Sequence, residues 1–191
     1  MNPTHQSNGA TFSPRRVFLL LVGAAAVAVG SRWSIPMPGT FIPQSAQTLA
    51  VLLVGAGLGS VNGGLAILVY LAAGALGLPV FADGGRGWTH LVGPTAGYLV
   101  GFVCAAVVVG LAVERKVGQR ALALLLVMLS AHAIILGMGW MRLSWVLGVS
   151  RAFETGVSPF VLGGVVKAAL AAAATLVFVK IRALRGAGSA S

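Results

Sequence analysis

Residues Phe160–Val179 read FVLGGVVKAALAAAATLVFV. An apolar run of about 20 residues is enough for a helix to cross a lipid bilayer. Its single charge is Lys167. At about 1.5 Å per residue, that lysine lies roughly 12 Å from Pro159 and about 20 Å from Lys180. The side chain reaches neither membrane surface easily. An ionisable group at such depth costs roughly 3 kcal/mol or more without a partner. Lys167 is therefore expected to face a cavity rather than lipid, with snorkelling to one surface as the plainer alternative.

The composition extends this reading to the whole chain. Hydrophobic residues make up 58% and charged residues 8%, against about 25% charged in a soluble domain. So little charge cannot cover a water-facing surface, so lipid is the main solvent. Apolar runs place helices over about 17–32, 46–58, 63–80, 94–113, 121–140 and 158–180. The expected fold is an all-α integral membrane protein with six transmembrane helices. The second is short for a full crossing, and is expected to be tilted or continued by its preceding loop. A mobile tail over 1–14, one membrane domain over 15–185 and a C-terminal tail over 186–191 complete the organisation.

The net charge of +10 comes from 13 basic and three acidic residues. Because the basic residues fall in short hydrophilic gaps, they fit the positive-inside rule, and no nucleic-acid partner is expected. With six helices, one side holds Arg15, Arg16, Arg115, Lys116, Arg120, Lys180, Arg182 and Arg185. The other holds Arg32, Arg86, Arg142 and Arg151. This bias predicts that both termini are cytoplasmic, and it puts the approach to Lys167 on the outer side.

Three outer connections follow. Ser34–Thr48, SIPMPGTFIPQSAQT, carries Pro36, Pro38 and Pro43, which forbid a continuous helix. It is either a stiff apolar lid or a plain connector. Gln44 and Gln47, where the second helix begins, are candidate ligand contacts. Gly77–Gly97 is glycine-rich and carries Asp83, a candidate acceptor for a ligand N–H or a partner for Arg86. Met141–Pro159, with Arg142, Arg151 and Glu154, reads as an interfacial segment. Small residues at four-residue spacing (Ala24 and Ala28; Gly55 and Gly59; Gly93, Gly97 and Gly101) let helices approach closely.

No GxxxxGK[ST] stretch, HExxH, GxSxG or cysteine pair is present, and Cys104 is alone. No metal site and no cofactor is expected. Three carboxylates equip the chain poorly for acid–base chemistry. The sequence therefore predicts no enzyme, but a membrane protein that binds a small solute and draws energy from elsewhere.

Several motifs in one order give a sharper expectation. IPMPGTFIPQSAQTLAVLLVGAGLG, YLAAGALGLPVFADGG, GPTAGYLVGF and PFVLGGVVKA together resemble the BioY family, the biotin-specific S components of energy-coupling-factor (ECF) transporters. The resemblance implies biotin capture at the outer face of a bacterial cytoplasmic (inner) membrane. It implies a transmembrane coupling subunit and cytoplasmic ABC-type ATPases as partners, and leaves a homo-oligomer open. Lys167, Asp83, Gln44, Gln47, Gly164 and Tyr98 become the candidate substrate-binding residues. Ala24 and Ala28 match the AxxxA pattern by which the family meets its coupling subunit. One position departs from the family. An Asp usually precedes the lysine by three residues, one helical turn away, and here it is Gly164. Lys167 is thus expected to be a bare cation, with weaker biotin binding than in a typical member. A self-contained secondary transporter or channel for a small vitamin-like solute is the alternative.

Overall fold

The structure is a computed structural model and describes residues 13–117 and 120–188, with side chains described as far as Ile181. Most of the expected N-terminal tail, the side chains of Arg182 and Arg185, and the last three residues lie outside the described residues.

Helix α1 spans Pro14–Arg32. The Ser13 hydroxyl accepts from the Arg16 backbone N–H at 3.3 Å and Pro14 opens the first turn, a standard helix start. Two short strands, β1 (Ser34–Ile35) and β2 (Gln44–Ser45), pair antiparallel with Ser34 opposite Ser45. The prolines between them keep the intervening loop out of helix. The loop folds as a flap, because the strand pair brings its two ends together.

Helix α2 runs Gln47–Ala75 and is broken at Gly59, where φ is +81° and ψ 179°. That backbone region is essentially reserved for glycine. The chain doubles back there. Gln47 Nε2 donates to the Tyr70 hydroxyl at 2.6 Å across 23 residues, which a straight helix would hold about 34 Å apart. A Cβ on Gly63 would lie 3.0 Å from the Gly55 Cα, so two glycines let the arms touch. Glu114 secures the elbow by accepting from the Ser60 backbone N–H at 2.7 Å and the Ser60 hydroxyl at 2.8 Å. This carboxylate caps the start of the second arm. Arg16 Nε donates to Asn62 Oδ1 at 2.9 Å and ties α1 to the same end.

A loop with Phe81 at its centre leads to the short helix α3 (Trp88–Val92) and then to α4 (Ala96–Glu114). Phe81 is fully buried, edge-on to Tyr70 and stacked on His90, with ring centroids 5.5 and 5.4 Å apart. Gly74 leaves room for its ring. The glycine ridges serve this internal packing. Gly55 meets the Ala106 backbone, while Gly97 and Gly101 meet the backbone at Met138 and Ile135.

Helix α5 covers Ala121–Leu147, α6 Val149–Gly156 and α7 Val161–Gly188. The expected end of the fifth helix near Trp140 is thus corrected. No glycine or proline intervenes until Gly148 at φ +82°, and Ser144 satisfies its hydroxyl on the Trp140 carbonyl at 2.7 Å. Arg142 does not mark a loop, because its guanidinium reaches the Val92 carbonyl at 2.6 Å. The third connection is therefore largely helical.

Among the described residues, five helical segments are long and apolar enough to cross a membrane: α1, α2 with both arms, α4, α5 and the stretch Val149–Ile181. Their outward faces carry large exposed apolar residues such as Phe18, Leu126 and Leu162, as lipid contact requires. Exposed Trp33, Trp88 and Trp145 gather toward the end of the bundle that holds the flap, in the manner of an interfacial aromatic belt.

Candidate functional site

At the flap end the helices frame a partly open cavity of about 460 Å³. Its walls come from widely separated parts of the chain. Phe41, Ile42, Pro43 and Ser45 descend from the flap, Phe81 and Asp83 from the second connection, Tyr98, Leu99 and Phe102 from α4, His132 and Ile135 from α5, and Lys167 from α7. Most of the lining is apolar, with a few polar groups spaced around it. This is the usual make-up of a small-molecule site, and the volume falls within the usual range of roughly 300–1,000 Å³.

Lys167 is half-buried and its Nζ donates to the Ser45 carbonyl at 2.6 Å. The expectation of a bare cation is corrected by this contact, since the flap supplies a backbone dipole in place of a carboxylate. An ammonium has three donors, so two N–H groups remain for other partners.

Gln47 is 5% exposed and lines the cavity. Its Oε1 accepts from the Ser45 hydroxyl at 3.0 Å while its Nε2 holds Tyr70. Asp83, in the left-handed region at φ +52°, accepts from Ser34 Oγ at 2.8 Å, so its described partner is the flap strand and not Arg86. Tyr98 also lines the cavity, but its hydroxyl is committed to the Gly156 carbonyl at 2.7 Å. It therefore braces α6 against α4 and presents its ring as wall. Tyr98→Phe is expected to lower thermal stability by about 1 kcal/mol and to change solute affinity by less than about threefold. Melting and binding curves on the same preparation check both numbers.

Two of the expected residues are placed elsewhere. Gln44 turns its amide onto the α7 backbone at Gly163, filling the space a side chain there would need. Gly164 is buried behind His132, and a Cβ on it would overlap His132 Nε2. It borders a second, apolar cavity of about 390 Å³ with Leu129, Trp140 and Val161. The residue that sequence reasoning missed is His132. It sits within ALALLLVMLSAHAIILGMGW, and an ionisable side chain in a membrane helix is itself a signal of function.

On α1, Ala24 is 7% exposed and Ala28 is partly buried against the core. Both turn toward the bundle, because Gly23 and its neighbours fit closely against Leu58 and Ala66 of α2. The small residues that α1 leaves exposed are Ala25 and Ala26.

The profile of the BioY family matches residues 4–184. A probable biotin transporter BioY of Pyrococcus horikoshii is 38% identical over 157 residues, which is 82% of this chain and 91% of that protein. A biotin transporter BioY of Thermotoga maritima is 36% identical over 162 residues, covering 84% and 94%. The crystal structure of the S component for biotin from an ECF-type ABC transporter superposes with a TM-score of 0.78. At 21% identity, over 87% of this chain and 91% of that one, it is a likeness of fold. With a family match over nearly its whole length and relatives of this identity, the chain belongs to the BioY family, a family of multi-pass membrane transport proteins.

Proposed function

We propose that this chain is the biotin-binding S component of an ECF-type vitamin transporter, capturing its solute from the outer face. Relatives named as biotin transporters support this, as does a fold like that of a biotin S component. The observation within the chain that carries it is the cavity at the flap end, with Lys167 on an otherwise mostly apolar wall. Biotin matches that surface chemically. Its thiophane ring and valeryl chain are apolar, and its carboxylate or ureido carbonyl can accept from the two open N–H groups of Lys167. Gln47, Asp83 and the flap supply further polar contacts near the mouth.

The membrane arrangement is part of the same proposal. Counting the arms of α2 separately gives six crossings, and the basic residues then put both termini on the cytoplasmic side of the inner membrane. One membrane domain occupies about 15–185. A coupling subunit and a pair of ABC-type ATPases supply the energy. If Ala24 and Ala28 meet that subunit, α1 must first shift off α2, since both face inward when the chain stands alone.

The test is equilibrium binding of biotin to the purified protein in detergent. Saturable one-to-one binding is the expected result, and its absence would remove biotin from the proposal. Uptake into vesicles without any ATPase partner separates the two transport classes. Concentrative, ion-driven uptake there would favour a secondary transporter.

A further inference from the structure

Most of the cavity's polar side chains are already hydrogen-bonded within the protein. Ser45 and Gln47 bind each other, Gln47 also holds Tyr70, Tyr98 holds Gly156, and Asp83 holds Ser34. His132 is different. It is 6% exposed, its ring lines the cavity, and neither Nδ1 nor Nε2 has a hydrogen-bond partner among the described residues. Thr48 Oγ1 is the other unpartnered buried polar atom on these walls. A buried polar group without a partner is costly, and native interiors seldom leave one. Two such atoms on one ring, at the wall of a solute-sized cavity, point to a partner that arrives from outside the protein.

The ring's chemistry says what that partner offers. A neutral imidazole has one acceptor nitrogen and one N–H donor. Lys167, on the same cavity, has donors only. A solute that carries both an acidic or carbonyl oxygen and an N–H would therefore divide between them, its oxygen on Lys167 and its N–H on the imidazole. The position of the ring is set by Gly164, since any side chain there would overlap Nε2. The missing side chain on α7 and the histidine on α5 thus form one device, in which the glycine leaves the room that the ring fills.

We propose that His132 is a solute-contact residue that accepts a hydrogen bond from a solute N–H group, with Gly164 as the residue that positions its ring. The inference rests on the biotin reading, in which the ureido group supplies the N–H.

The test uses biotin and a biotin derivative methylated on its ureido nitrogens, bound to the full-length protein in detergent. His132→Phe keeps a planar ring of similar size but removes both polar atoms. It is expected to weaken biotin binding about 10-fold or more. His132→Gln, which retains a donor and an acceptor, is expected to recover part of that loss. The unmodified protein should discriminate against the methylated derivative, and His132→Phe should lose that discrimination. Gly164→Ala, by pushing the ring aside, should weaken biotin while leaving the melting temperature closer to that of the parent than its affinity. Equal biotin affinity in His132→Phe and the parent, or unchanged discrimination, overturns the proposal while biotin binding itself stands. No binding of biotin by the parent protein would instead overturn the function on which the inference rests.

Discussion

Lys167→Met is expected to lower biotin affinity by about 10- to 100-fold, which corresponds to the roughly 1.5–3 kcal/mol of a hydrogen bond to a charged group. Methionine keeps most of the stem, so α7 still packs as before and only the ammonium is lost. The loss has two parts. The solute's anionic or carbonyl oxygen is left in a mostly apolar cavity without its donor, and the Ser45 carbonyl loses its 2.6 Å contact. Lys167→Arg should lie between the parent and the Met variant, because the guanidinium keeps the charge but is broader than the site was shaped for. Calorimetric or fluorescence titration in detergent reads the affinities, and a melting curve shows whether the fold persists. Parent-like affinity in a folded Met variant would remove Lys167 from the site.

The second large effect is on the fold. Gly59→Val should destabilise the protein severely, by about 1–3 kcal/mol from the backbone conformation alone. At φ +81° and ψ 179° a β-branched residue is strained whatever surrounds it. A Cβ would in addition meet the Glu114 carboxylate. To admit the valine, Glu114 must leave Ser60, and the second arm of α2 then loses its cap. Gly57→Val is the matched control, because it lies two residues away, faces outward and has open space where its Cβ would stand, with no atom within 4 Å. At about 2–4 °C per kcal/mol for a chain of this size, the Gly59 variant should melt several degrees lower while the control stays near the parent. Similar melting temperatures for both would mean that the elbow relaxes into another geometry at little cost.

How far the sequence spoke for the structure differs from residue to residue. Lys167 stood out because it is a lone formal charge in a long apolar run, and membrane burial makes such a charge conspicuous. His132 was less conspicuous because a neutral histidine adds no formal charge to its apolar run. The break between the second and third expected helices was legible as the gap between the apolar runs 46–58 and 63–80, although Gly59 itself read only as a small residue on a packing ridge. Its capping partner was not, since Glu114 lies 54 residues away from Ser60 and only packing brings it there. Gln44 and Gln47 looked equivalent. A strand residue and a helix residue three positions apart point in unrelated directions, and of the two it is Gln47 that reaches the cavity. Arg142 misled the reading of α5, because a long basic side chain can stay in a helix and stretch its charge to a surface carbonyl. For Gly164 the sequence registered only the absent side chain. The structure adds the imidazole that occupies its place.

The contact between Lys167 and the Ser45 carbonyl links two events through the same ammonium. On the proposed reading, one N–H fastens the flap and the others hold the solute, so each stabilises the geometry the other needs. Thermodynamic linkage makes this reciprocal. Solute in the cavity favours the closed flap, and anything that lifts β2 weakens solute binding by the same free energy. A partner that works on the flap therefore needs no access to the cavity. Pulling one carbonyl away from one cation is enough to loosen the hold on a molecule that the partner never touches.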